Sequence, residues 1–307
     1  MLLAMPLISV AQQDPYNSFY MFNGLYVNPA YAGSRNVISM TALYRNQWAG
    51  LSGAPQTGSF AIHSPLKNER IALGGILTFD KIGETQTTSP YLSFAYRIPL
   101  GAKQNGNWLS FGIQGGVTYY QNRLSQVATD QANDPQFSSD RNLWIPNFGA
   151  GIMAYGDRYY VGASMPQILD MSLNEKLHNA GASSDTTARQ YRYFMFTGGY
   201  IFDLGDKVKF KPSFIVRYLP KIKPSADITL AFMFIDRIWL GASYRVNDAY
   251  AFMGTFGITK QFSLGYAYEL GVSKLNNYQN GTHEVMLGYD FGFEKKKVVN
   301  PRYVNYY

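Results

Sequence analysis

Metal binding or proton transfer in this chain would fall to His63, His178 and His283, and their placement suits neither. They lie far apart, with no second ligand at metal-site spacing. There is no cysteine, which removes thiolate metal sites, disulfides and thiol catalysis. The sequence has neither a Gly-x-Ser-x-Gly nucleophile elbow nor a phosphate-cradling glycine loop. Gly115-Gly116 and Gly198-Gly199 sit inside alternating segments, where glycine marks a bend or a close-packed position. Asp170, Ser172 and His178 share one polar connecting segment, and its loop composition explains them without a catalytic triad. The expectation is a protein that is not an enzyme and that carries no cofactor and no metal.

The elements that hold these residues are more informative. From about Val37 to Phe293, apolar and polar residues alternate in segments of roughly ten, recurring about every twenty residues. In Leu109–Tyr120, Leu109, Phe111, Ile113, Val117 and Tyr119 share one parity, and Ser110, Gly112, Gln114, Gly116, Thr118 and Tyr120 the other. A period of two is a strand period, because successive side chains point to opposite faces. The pattern predicts an all-β fold, a transmembrane antiparallel β-barrel with lipid on one parity and lumen on the other. Composition agrees. Of 307 residues, 15% are charged, 16% aromatic, 29 are glycine, and the mean hydropathy is −0.18. The net charge of +7 reads as scattered loop and lumen lysines, and no basic run with interleaved aromatics points to nucleic acid.

Fourteen strands are predicted at about 36–47, 56–63, 70–80, 87–98, 107–121, 145–155, 158–166, 190–203, 207–219, 225–235, 237–246, 250–259, 261–270 and 283–293. The even-numbered connections are mostly short, as at Pro65–Asn68, Gly156-Asp157 and Asp236. The odd-numbered ones are generally long, as at 122–143, 167–189 and 271–282, with Asn247-Asp248 the exception. Short turns at one rim and long loops at the other are the asymmetry of outer-membrane barrels, and an even count puts both termini on the periplasmic, short-turn side.

Several strands oppose charge to their apolar parity. These residues are Arg97, Lys209, Lys211, Arg217, Arg245, Glu284 and Asp290. A charge facing lipid at midplane costs roughly 2–4 kcal/mol, so all seven are expected to face the lumen, as mutually paired charges or as a pore lining. Tyr119, Tyr120 and Trp144 flank a long loop and are candidates for partner contact or for an interfacial girdle.

Four units are expected along the chain. Residues 1–11, MLLAMPLISVA, read as the apolar and cleavage parts of a secretory signal. Residues 12–35 are aromatic and turn-rich and form an N-terminal periplasmic segment, either a tail lying on the periplasmic rim or, since it is too apolar to remain in water, a plug entering the barrel mouth, the reading preferred. Residues 36–294 form the barrel. Residues 295–307, with three lysines, Arg302 and a closing Tyr306-Tyr307, form a periplasmic tail that is either solvated or a docking segment.

The run Asp14–Gly33, DPYNSFYMFNGLYVNPAYAG, followed by Ala42–Trp48, resembles the opening of the PorP/SprF family of Bacteroidota. Tyr160–Pro166, Trp239–Arg245 and Gly288–Phe291 are similar to the family further along, and the likeness spans nearly the whole mature chain. The resemblance implies an outer-membrane barrel of the type IX secretion and gliding apparatus, assisting export or surface attachment of a partner such as an adhesin with a type IX C-terminal domain. Its implied partners are that cargo, the apparatus and outer-membrane lipid. It marks Asn28, Pro29, Ala30 and Gly33 as family-motif positions in the plug segment. Two other readings stay open. Asn28-Pro29-Ala30 with a plug is also similar to FadL-type channels for hydrophobic small molecules, and the tail would suit a structural anchor to a periplasmic ring.

Overall fold

The computed structural model describes residues 17–101, 106–126, 140–172, 189–190, 192–220, 223–272 and 278–291. The strands are β1 (Ile38–Asn46), β2 (Gln56–Pro65), β3 (Ile71–Ile82), β4 (Thr85–Pro99), β5 (Trp108–Asn122), β6 (Arg141–Tyr155), β7 (Tyr159–Gln167), β8 (Met171–Ser172) and β9 (Arg189–Gln190). They continue with β10 (Tyr193–Tyr200), β11 (Phe202–Asp203), β12 (Val208–Tyr218), β13 (Ser225–Phe234), β14 (Ile238–Arg245), β15 (Ala249–Gly257), β16 (Phe262–Gly271) and β17 (Thr282–Phe291). β8 and β9 pair with each other as a separate two-stranded ribbon, and β11 prolongs β10 along β12. The other fourteen are antiparallel neighbours in chain order, and the sheet closes where β1 pairs with β17, from Ile38↔Phe291 to Asn46↔His283. The fold is a closed fourteen-stranded antiparallel barrel, and closure leaves no unpaired strand edge along its wall.

Alternation sorts the residues as expected. Along β13 the burial alternates strictly from Asp227 to Met233. Outward residues such as Leu92, 75% exposed, and Ile113, 61% exposed, are large and apolar. Inward Ala95 and Ser110 are fully buried. No helix among the described residues is long and apolar enough to cross a membrane.

Three boundaries differ from expectation. β6 begins at Arg141, because Asn122↔Arg141 through Thr118↔Ile145 extend its ladder with β5. β3 and β4 run to Ile82 and from Thr85 around a tight turn in which Gly83 has φ +56°, so this long-loop-end connection is short too. The segment expected as one strand at 190–203 is broken: Gln190 pairs in the outer ribbon, and the register shifts between Tyr193 and Met195. As a result β4, β5 and β6 have 15 residues each, against 8 to 10 in β13–β17, and one wall rises above the rest at the long-loop end.

Candidate functional site: the filled lumen

Residues 17–35 lie inside the barrel and run from its long-loop half toward its short-turn end. They are buried almost throughout, with Phe19, Tyr20, Phe22 and Leu25 at most 2% exposed. At the upper end the Ser18 backbone N–H donates to both Glu284 carboxylate oxygens, at 3.1 and 3.0 Å, and its hydroxyl donates at 3.0 Å. Phe22 packs edge-on against Phe19 and Trp239. The Tyr20 hydroxyl donates to Thr229 at 3.2 Å, and the Asn23 amide to Ser59 at 3.1 Å.

A short helix α1 (Gly24–Val27) then leads into a 3-10 turn, Pro29–Tyr31. Asn28 organises this junction. Its side-chain oxygen accepts from the Ala30 N–H at 2.9 Å, a cap that Pro29, lacking an N–H, leaves unopposed. Its amide donates to the Ile152 and Ala163 carbonyls, at 3.0 and 3.3 Å, on β6 and β7. The Ser110 and Ser164 hydroxyls donate to the Ala30 and Val27 carbonyls, at 2.7 and 2.6 Å. This close approach requires glycine on the wall: a Cβ on Gly112 would strike the Ala30 nitrogen, and one on Gly151 would strike Asn28 Oδ1. Below, Gly33 at φ +73° donates its N–H to His63 Nδ1 at 3.2 Å. His63 is therefore buried as a structural acceptor. Arg35 pairs with Asp290 where the segment meets β1.

The charged groups divide into two kinds. At the long-loop end they form a continuous ladder around six strands. Glu284 pairs with Arg45, Arg45 with Glu269 at 2.8 Å, and Glu269 with Arg245 at 3.2 Å. Arg245 pairs with Asp227 at 3.3 Å and with Asp248 at 3.2 Å, and Arg217 joins Asp227 at 3.3 Å. Arg45, Glu269, Asp227 and Asp248 are absent from the charges singled out in the sequence. For the three on strands the signal was the same parity rule, applied to 38–46, 225–234 and 262–271. Lower down, cations meet aromatic rings. Arg97, fully buried, lies over Trp108 at 4.5 Å and donates to the Tyr155 hydroxyl at 2.8 Å and to Asn36 Oδ1 at 2.6 Å. Lys211, also fully buried, stands 5.4–5.8 Å from the rings of Phe22, Tyr160 and Trp239. Lys209 is at the short-turn rim, 3.2 Å from Asp236.

The candidate contact residues do not form one cluster. Tyr119 stacks on Trp144 at 4.5 Å on the outward face, whereas Tyr120 has the inward parity. Tyr306 and Tyr307 lie outside the described residues, as do the signal-like segment, the tail and most of loops 122–143 and 167–189. At the base of the first loop Asp140 accepts from the Ser125 N–H at 3.1 Å and its hydroxyl at 2.7 Å. These two bonds hold the Asp140 carboxyl below its ordinary range. A cavity between the segment and the wall, lined by Tyr20, Met21, Gly24, Val27, Asn28, Tyr160 and Thr197, measures about 10 Å³, the lower limit for one water. Among the described residues no group of three His, Asp or Glu is placed to share a metal.

Comparison with known proteins gives one family and one fold. The family described as type IX secretion system membrane protein PorP/SprF matches residues 9–289. Among solved structures, the toluene transporter TbuX of Ralstonia pickettii superposes with a TM-score of 0.51 at 8% identity, over 91% of this chain and 94% of that one. The toluene transporter TodX of Pseudomonas putida gives 0.49 at 10% identity, over 91% and 95%. A FadL homologue of Pseudomonas aeruginosa gives 0.46 at 12% identity, over 91% and 95%. At such identities the likeness is one of barrel fold. Among curated proteins none matches the chain.

Proposed function

This chain belongs to the PorP/SprF family of type IX secretion system membrane proteins, and we propose that it assists the export or surface attachment of one secreted partner, such as an adhesin, without serving as its conduit. The observation that carries this reading is the filled lumen. Residues 17–35 occupy the interior, seated on glycines and bonded to the wall from Ser18 to Arg35. Packed in this way, they stand in the route that a polypeptide would take through the barrel. The partner is then met by loops 122–143 and 167–189, since recognition concentrates in loops on a rigid scaffold. In this reading the barrel stands in the outer membrane with those loops outside. β1 starts and β17 ends at the short-turn, periplasmic rim, from which tail 295–307 reaches the apparatus.

The test is a quantitative comparison of surface and medium proteins in cells with and without the gene. One large protein with a type IX C-terminal domain is expected to leave the surface. An unchanged surface proteome overturns the reading. Uptake of a hydrophobic small molecule is then the next one to test, because a plug bearing Asn28-Pro29-Ala30 inside the lumen suits it too.

A further inference from the structure

We infer that Asn147 is the positioning residue for partner recognition: its side chain ends the β6–β7 ladder and sets where the second long loop leaves the barrel relative to the first. This rests on the reading that loops 122–143 and 167–189 meet the partner. Both loops are rooted on β6. The first descends into its top residue, Arg141, and is clipped at its base where Asp140 accepts from Ser125. The second rises from the end of β7 beside Asn147, six residues or about 20 Å further along the same strand.

The regular β6–β7 ladder runs from Tyr155↔Tyr160 to Ala150↔Met165, and above it the two strands part. β7 stays with β10 as far as Gln167↔Tyr193, and the pair continues as the β8–β9 ribbon, a sheet of its own. β6 stays with β5 as far as Arg141↔Asn122. Two adjacent residues of β6 stand at this fork. The Phe148 carbonyl faces β7 and accepts from the Ile168 N–H at 2.8 Å. Alternate residues of a strand turn their backbone groups to the same edge, so Pro146 faces β7 as well, and it has no N–H with which to carry the ladder on. Asn147 takes over with a side chain that is fully buried. Its Oδ1 accepts from the Ile168 and Leu169 N–H groups, both at 3.1 Å, and from the Phe148 N–H at 2.9 Å. Its amide donates to the Leu169 carbonyl at 3.3 Å. One side chain thus holds both backbone groups of Leu169, where a ladder would have drawn the whole arm along β6. The second loop is tied to β6 at its foot and leaves the wall there, at a place fixed by the one geometry that satisfies every donor on a buried oxygen.

The chain has no cysteine, so two introduced ones report this spacing directly. Asn142→Cys and Asp170→Cys, at exposed positions by the roots of the two loops, carry spin labels in the full-length protein, and double electron–electron resonance measures the distance between them. Asn147→Leu keeps a branched side chain and removes all four bonds, and it is expected to widen the distance distribution about twofold or more. Asn147→Asp keeps the acceptor for three N–H groups and is expected to preserve the wild-type distribution. In cells, with heat-modifiable gel migration reporting a folded barrel, Asn147→Leu is expected to lower the partner at the surface about fivefold or more, and Asn147→Asp to retain it. An unchanged distribution in Asn147→Leu overturns the inference, and so does a partner kept at the wild-type level once the distribution has widened. Deleting the gene separates the two possible failures. A partner lost on deletion but kept by Asn147→Leu sinks the inference alone, whereas a surface proteome unchanged by deletion sinks the functional reading and leaves no recognition for Asn147 to serve. If Asn147→Leu does not fold, hydrogen exchange of the wild type decides. The Leu169 amide, which donates to Asn147, is expected to exchange as slowly as the ladder amides of β6, and exchange at the rate of an exposed loop overturns the inference.

Discussion

Arg45 and Glu284 face each other across the seam where the first strand meets the last. They are register partners in the β1–β17 ladder, and both are buried inside the barrel. Their ion pair therefore sits on the contact that closes the fold, and Ser18 of the plug bonds the same carboxylate. Closure, lumen charge and plug docking meet at this one group.

Removing a single member of that pair is expected to be costly. Arg45→Met leaves Glu284 and Glu269 without their shared guanidinium in a buried site, a loss of about 3–5 kcal/mol. Replacing both partners, Arg45→Met with Glu284→Leu, is expected to recover part of it. Thermal unfolding followed by gel migration measures both variants, and an additive double mutant would sink the argument.

The glycine seat predicts a gating effect. Gly112→Leu drives a side chain into the backbone of Ala30, so residues 28–31 must leave their position on β5–β7. Planar-bilayer recording is expected to show higher conductance than for the wild type. Gly254→Ala, on the outward parity of β15 where a Cβ would meet only ordinary contacts, is expected to leave conductance unchanged.

The β13–β14 turn carries strain. Ile235 has φ +51° and Asp236 φ +52°, the two positive values of a type I′ turn, closed by the Arg237 N–H donating to the Phe234 carbonyl at 3.1 Å. A β-branched residue resists that conformation, and Ile235 is 67% exposed, so little packing holds it there. Ile235→Gly is expected to raise stability by about 1 kcal/mol. Urea unfolding in detergent measures it, and a fall in stability contradicts it.

Asp140 gives a pH dependence with a definite sign. Its folded pKa is depressed by the Ser125 hydroxyl and amide, so the loop-base clip is fully formed above the ordinary value of 3.8 and is lost as pH falls below it. Ser125→Ala is expected to move the carboxyl back toward 3.8. An NMR titration of the carboxyl carbon measures the shift, and an unchanged midpoint shows that the Ser125 hydroxyl does not set it.

Much of the barrel was legible because strand periodicity is local. Arg97, Lys211 and Arg245 could be assigned a face from two neighbours on either side. Their partners could not. Arg97 and Lys211 meet rings, whereas Arg245 joins a ladder, and nothing in the surrounding residues distinguishes these outcomes. Arg45, Glu269 and Asp227 obey the same parity rule on β1, β16 and β13. Arg141–Trp144 reads as loop because its strand character comes from pairing with β5.

The order of residues by itself determined the class of fold, the fourteen strands and which parity faces out of the barrel, since each follows from side-chain alternation within a dozen residues. Only the tertiary structure decided what fills the barrel and what its charges hold. Ser18 and Glu284 are 266 positions apart and Arg45 and Glu284 are 239 apart. They meet because the strands close on themselves in one register, and register is a property of the whole ring, set by the packing of every strand against its neighbours and against the segment threaded through them.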